Sequence, residues 1–408
     1  MRKLVAAVTT AVMVVAFTAV SSAGAAWHLP WSAAWTTPLH PPSSLFWSWA
    51  PQGFDNHTLR QVVRAGTGGL GARVRFSNAH GTASLQMTGA TVAFAATGAA
   101  VTPNTVHRLT FAGNDSVVVP VGGEVVSDPV PLWVPRLQAL TVSTYFAGPT
   151  GPATNHLFAN TMSYRAAGDH LADTDATAFT EASWSSYYVS GVEIIDATPQ
   201  HDSVVVAFGD SITEGTGSTI NANNRYPDAL AERLTWPRGV VNAGLGGNRM
   251  LNDCFGTSGL TRFAHDALDL PDVRSVILLQ GINDIGLGEL NTIGCAVTPT
   301  RVTASDLIAG YQNMIGQARA RGIRIIGGTL LPFKGAPYFN AYGESVRQAV
   351  NDWIRASGEF DAVVDFDQAL RNTADPEALL PMYDSGDHLH PNDAGYQAMA
   401  DAVDLGTL

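Results

Sequence analysis

The chain divides into two stretches with different hydrophobic periods. From about Trp27 to Ile195, apolar and polar residues alternate, with little of the three-to-four spacing that marks a helix. Ala72-Arg73-Val74-Arg75-Phe76-Ser77 and Leu140-Thr141-Val142-Ser143-Thr144-Tyr145-Phe146 alternate cleanly, and shorter β-rich runs stand at 117–121, 130–134 and 187–195. Gly- and Pro-bearing turns separate them, among them Gly66-Thr67-Gly68-Gly69 and Gly148-Pro149-Thr150-Gly151-Pro152. Many short strands at this spacing predict an all-β sandwich, jelly-roll-like, over residues 27–198. After a polar, Pro-containing joint at 196–202 the pattern changes to strands alternating with helices, which predicts a parallel sheet covered on both faces. Strands are expected at 204–208, 239–242, 276–279, 323–326 and 362–366. Helices are expected at 226–234, 303–321, 344–357 and 391–405. The third-last of these strands precedes the longest helix, where Thr303 with Asp306 forms a capping pair, Leu307, Tyr311, Met314 and Ala318 line one stripe, and Gly322 ends it. Residues 203–408 thus read as one three-layer α/β/α domain.

Length and composition agree with two domains: 408 residues, 46% hydrophobic and 14% charged. A formal charge of −12 argues against nucleic acid or an anionic membrane as partner. The amino terminus adds a destination. Met1-Arg2-Lys3, an apolar run to Val20 and the small residues Ser21-Ser22-Ala23-Gly24-Ala25 have the layout of a secretory signal, removed after about residue 25. The alternative is a membrane anchor, for which the run is barely long enough. The mature chain is therefore expected to be extracellular, soluble and monomeric. Export makes a bridge between the two cysteines, Cys254 and Cys295, the leading expectation, with a stabilisation of about 3–4 kcal/mol if unstrained; two separate buried thiols are the alternative. Five of the nine tryptophans fall between Trp27 and Trp49, either as a carbohydrate-stacking platform or, more commonly for such residues, as filler of the sandwich.

The chemistry gathers at strand ends. Val204–Phe208 is a buried-strand pattern that stops at Gly209, and Ser211 follows at the carboxyl end of a central parallel strand, where open α/β sheets place ligands. If the next segment is helical, its free N–H groups favour negative charge beside that serine; the plain alternative is an N-cap serine. Two further strands end in glycine-bearing turns, Ala243-Gly244-Leu245-Gly246-Gly247-Asn248-Arg249 and Gln280-Gly281-Ile282-Asn283-Asp284. Far downstream stands Asp384-Ser385-Gly386-Asp387-His388-Leu389-His390-Pro391. Acyl transfer needs a hydroxyl, a base, a group that orients the base, and donors aimed at an oxyanion. All four types are present.

These four segments, in this order, resemble the GDSL or SGNH hydrolase family. Gly209-Asp210-Ser211-Ile212 is similar to its first block, Asn242 to Asn248 to its second, Gly281-Ile282-Asn283-Asp284 to its third and Asp387-His388-Leu389-His390 to its last. Gly246 stands where a serine is frequent. The resemblance covers 204–405 and implies a flavodoxin-like fold and serine ester hydrolysis without metal or cofactor. It implies Ser211 as nucleophile, His390 as general base and Asp387 as its orienting carboxylate, with an oxyanion hole made by the N–H groups of Ser211 and Gly247 and the amide of Asn283. Other readings of the same residues stay open: His388 as base, Asp384 as the orienting acid, or Asp384, Asp387, His388 and His390 together as a metal cluster. Asp210 and Asp284 are expected to support their own turns. Asn248 and Arg249 are candidates for lining the pocket, Arg249 equally for a surface ion pair. A Cys254–Cys295 bridge would tie the loops that carry Gly247 and Asn283. A sandwich in front of such a domain is similar to some carbohydrate esterases, which makes short acyl (O-acetyl) groups of extracellular polysaccharide the first expected substrate. A lipid or lysophospholipid esterase is the alternative. A non-catalytic carbohydrate-binding or adhesion protein with a relict hydrolase domain is the alternative of another class.

Overall fold

The computed structural model describes residues 31–45, 48–195, 204–235, 237–288 and 301–408. The expected leader at 1–25, the joint at 196–202 and Cys295 lie outside them. Among the described residues no helix is long and apolar enough to cross a membrane.

The amino-terminal half is built from two antiparallel sheets. One orders its strands Trp31–Thr36, Val189–Ile195, Ala72–Ser77 and Glu124–Val126. The other runs Glu181–Ser183, Ser163–Ala167, His57–Arg64, Ala139–Phe146, Gly89–Phe94 and His107–Leu109. Val74, Phe76, Val192 and Ile194 of the first sheet share one core with Leu59, Val92, Leu140 and Val142 of the second, so the alternating residues of both inner faces make a sandwich. The strand expected at 130–134 does not form; only single bridges join Val130 to Ala72 and Val134 to Gly69. Pro129, Pro131 and Pro135 interrupt that run, and a proline has no N–H to give to a ladder. The described tryptophans of the early cluster are packing residues. Trp49 is buried and stacked on Tyr187 at 5.7 Å, Trp35 packs on the sandwich core, and the Arg73 guanidinium lies 4.0 Å over Trp31.

The carboxyl-terminal half holds five parallel strands in the spatial order Gly239–Gly244, Val204–Gly209, Val273–Leu279, Arg324–Gly328, Ala362–Val364. Numbered along the chain this is 2-1-3-4-5, the flavodoxin-like order, whose direction reverses beside the first strand. Right-handed crossovers then put the helix after the first strand on one face and those after the third and fourth on the other. Accordingly Tyr226–Arg233 packs with Asp393–Ala402, and Ala304–Ala320 packs with Ala341–Ala356. Ala304–Ala320 begins with the expected capping box, the Thr303 side chain accepting from Asp306 N–H and the Asp306 carboxylate from Thr303 N–H. Elements with no counterpart in the sequence pattern include a helix at Gly259–Phe263 that widens into a π turn at Ala264–Leu268, short helices at Ile282–Leu287 and Phe366–Leu370, and a hairpin of Arg371–Asn372 with Asp375–Leu379.

The two halves touch closely. Ala33 N–H donates to Pro271 O at 3.1 Å, Ser32 Oγ to Asp272 Oδ2 at 2.7 Å, and Arg64 pairs with Glu232 at 2.7 Å. Ala33 itself belongs to the core of the α/β half.

Candidate active site

Ser211 begins a four-residue helix, Ser211–Glu214, directly after the first strand of the sheet. Asp210 caps it, accepting the Ile212 N–H at 3.1 Å and leaving the Ser211 N–H outside the helical hydrogen-bond ladder. The turn needs a glycine at 209 because a Cβ there would sit 2.3 Å from the backbone oxygen of Leu279 on the neighbouring strand. Burial pushes the Asp210 carboxyl up to about 7, against the Ile212 N–H and the positive field of His390.

The last loop brings the imidazole to the serine. His390 Nε2 lies 2.8 Å from Ser211 Oγ, and His390 Nδ1 lies 2.6 Å from Asp387 Oδ2. Asp387 Oδ1 also accepts the N–H groups of His390 and Leu389, at 2.8 and 2.9 Å. Burial alone would raise the Asp387 pKa, but the hydrogen bond and charge of His390 with these two N–H groups hold it well below the usual carboxylate range. The neighbouring pair is separate: His388 Nδ1 faces Asp384 Oδ2 at 2.6 Å on the exposed side of the loop. Each aspartate thus serves its own histidine. Asn392, which the sequence reading did not single out, staples the loop. Its Nδ2 donates to Met382 O and Asp384 O at 3.0 and 3.1 Å, while its Oδ1 caps the final helix through Gly395 N–H. Its place one residue after His390-Pro391, before a helix-compatible run, was the available signal.

The second and third blocks meet beside Ser211. Gly247 has φ +68, and its N–H donates to no acceptor among the described residues. Asn283 is buried at the cavity edge, with Nδ2 donating to Asn248 O at 3.1 Å, so its second amide proton is free to point at a ligand. Three expectations need correction. Asp284 does not hold its own turn; it accepts Met250 N–H at 2.6 Å and Leu251 N–H at 3.0 Å, joining the third block to the second. Burial raises its carboxyl to about 6 against those same donors. Arg249 is not a surface residue but is 2% exposed, with Nε 3.7 Å from Asp284 Oδ1. Asn248 is fully buried and, like Arg249, does not border the cavity; its Oδ1 takes Arg262 Nε at 2.9 Å. Both face buried partners in the stretch that follows the positive φ of Gly247. Arg262, unassigned by sequence pattern, is the buried hub there, donating to Gly209 O at 2.7 Å and Ala243 O at 3.0 Å and lying 4.0 Å over Phe208. Cys254 is buried and its expected partner Cys295 lies outside the described residues.

A cavity of about 620 Å³ opens on Ser211, Gly247, Asn283 and His390. Its walls are largely apolar. Leu245 and Phe255 come from the α/β half, and Leu45, Leu157, Phe158 and Trp184 from the amino-terminal half. His40 also borders it; burial pushes this imidazole down to about 4, against its hydrogen bond to Pro41 O, so the ring stays uncharged at neutral pH.

Residues 207–398 match the GDSL-like Lipase/Acylhydrolase family. No curated protein matches the chain. Among solved structures, a GDSL-like lipase from Bacteroides thetaiotaomicron is 21% identical, with 50% of this chain and 88% of that one covered at a TM-score of 0.39. An aryl esterase of M. smegmatis is 16% identical, covering 49% and 95% at 0.39. An acetyl xylan esterase is 23% identical, covering 49% and 96% at 0.37.

Proposed function

We infer that this chain, a GDSL-like lipase/acylhydrolase by its residues 207–398 and hence a carboxylic ester hydrolase, works by acyl transfer through Ser211. Ser211 Oγ attacks the ester carbonyl carbon while His390 Nε2 takes its proton. Asp387 holds the proton on His390 Nδ1 and stabilises the imidazolium. The oxyanion that forms is met by the N–H groups of Ser211 and Gly247 and by the Asn283 amide. Collapse releases the alcohol, which receives the proton from His390, and water then repeats the sequence to free the acid. The observation that carries this reading is the unbroken contact from Asp387 through His390 to Ser211, at 2.6 and 2.8 Å. Hydrolysis of p-nitrophenyl esters, stopped by a serine-directed phosphonate that labels Ser211, tests it; an active enzyme that the phosphonate neither labels nor inhibits would remove the reading. Asn283→Ala should then lower kcat by about 100- to 1,000-fold with KM little changed, because an oxyanion donor acts in the transition state.

The cavity guides the choice of ester. Its volume is in the range that encloses a drug-sized ligand, far beyond an acetyl group, and its walls offer little for sugar hydroxyls. We therefore favour esters with an apolar acyl or aryl group over the O-acetyl polysaccharide expected from sequence. Across p-nitrophenyl esters from acetate to palmitate, kcat/KM should peak between butyrate and octanoate. A maximum at acetate, together with release of acetate from acetylated xylan, would return the choice to polysaccharide. The same proposal puts the enzyme outside the cell, on the strength of the amino-terminal segment alone.

A further inference from the structure

The acyl-transfer reading accounts for Ser211, His390, Asp387, Gly247 and Asn283 but not for a buried acid beside them. Glu214 closes the nucleophile helix and is 4% exposed. Its Oε1 accepts the N–H of Gly246 at 2.9 Å, the residue directly before the oxyanion glycine. The same oxygen lies 3.1 Å from His156 Nε2. His156 belongs to the amino-terminal half, where it pairs with Ser186 in a short antiparallel ladder and is 3% exposed. Its Nδ1 is 2.8 Å from Pro38 O, a carbonyl that only accepts, so the ring is held at both nitrogens. A second strut comes from the same half: Asn160 Nδ2 donates to Glu214 O at 3.1 Å, and Asn160 O accepts the N–H of Asn221 at 2.9 Å.

The loop carries a matching feature. A Cβ at position 246 would stand 2.7 Å from Glu214 Oε2, so the carboxylate fills the space that a side chain at 246 would need. The glycine at 246 and the glutamate at 214 are thus parts of one arrangement. A buried carboxylate is costly unless its oxygens are met by donors; here Oε1 meets the oxyanion loop and the other half of the molecule, and Oε2 takes the Thr216 hydroxyl at 3.4 Å. Whatever holds Glu214 also sets where the Gly246–Gly247 peptide lies.

We propose that His156, reaching across from the amino-terminal sheets, is a positioning residue of the oxyanion loop and acts through Glu214 on the Gly246 N–H. The proposal rests on the acyl-transfer reading of the site and adds that the amino-terminal half completes it. His156 touches no reacting atom. It fixes the carboxylate, the carboxylate fixes the loop, and the loop aims the Gly247 N–H where negative charge develops.

The test uses the full chain with p-nitrophenyl acetate, whose acyl group is too small to depend on the apolar wall. His156→Ala should lower kcat by about 10- to 100-fold while KM stays within about twofold, as expected when a transition-state donor is misplaced and ground-state binding is not. His156→Gln can still present a donor toward Glu214 and should recover much of the rate, whereas His156→Asn is too short and should not. Because one relay is involved, the double variant His156→Ala/Glu214→Ala should be no slower than Glu214→Ala alone. Melting temperatures of all variants accompany the rates; should the alanine variant not fold, the contrast between Gln and Asn decides. Wild-type kcat in folded His156→Ala, equal rates for Gln and Asn, or losses that multiply in the double variant would overturn the proposal. Those outcomes leave a wild-type enzyme that hydrolyses the ester, whereas failure of the acyl-transfer reading would leave none.

Discussion

Ser211→Ala is expected to abolish ester hydrolysis, lowering kcat by about a millionfold, the scale seen when an activated serine nucleophile is removed. The geometry makes the loss specific. The substitution deletes one oxygen, the partner of His390 Nε2 at 2.8 Å, from a helix start whose cap is formed by Asp210 and not by Ser211 itself. The fold should therefore persist, with a melting temperature within a few degrees of the parent. Labelling by a fluorinated phosphonate should disappear with the rate. A variant that keeps more than a hundredth of the parental rate would mean that another group attacks the ester, and the assignment of Ser211 would go.

Asp387→Asn comes next in size, with an expected fall in kcat of about 1,000- to 10,000-fold. Asp387 Oδ2 accepts from His390 Nδ1 and so leaves Nε2 unprotonated and able to take the serine proton. An asparagine amide turned toward the ring donates instead. It would favour the tautomer with its proton on Nε2, which cannot act as base toward Ser211. The carboxylate side chain is 46% exposed, so solvent can relieve part of the mismatch, which is why the lower end of the range is included. Asp384→Asn is the control, since Asp384 faces His388 and not His390. It should change kcat less than about threefold. Reversal of the two effects, read from kcat on the same p-nitrophenyl ester, would make Asp384 the orienting acid.

Much of the scaffold was visible in the chain. The strand at Ala72–Ser77 coincides with its alternating pattern, and the helix at Ala304–Ala320 starts and stops at the capping residues its sequence announces. Where the pattern misled, a local reason can be named. The run at 130–134 looks like a strand by its valines and fails as one by its prolines. Gly259–Phe263 is too short to show a period, and so Arg262, the guanidinium that ties Gly209 O to Ala243 O, went unnoticed. Arg249 reads in sequence as a pocket-lining residue or a surface charge, because burial of an arginine depends on a partner elsewhere, here Asp284.

The five strands of the parallel sheet and its four longer helices, the turns that end those strands, and the residue types able to carry acyl transfer were determined by the sequence alone. Each depends on neighbours within a few positions, which periodicity and capping report directly. Only the tertiary structure decided which histidine lies against Ser211 across 179 positions and which aspartate stands behind it. It alone decided that Leu45, Leu157, Phe158 and Trp184 wall the cavity and that His156 reaches Glu214 from the other half. These are distances between groups remote in the chain, set by how two cores pack against each other, and local spacing carries no record of them.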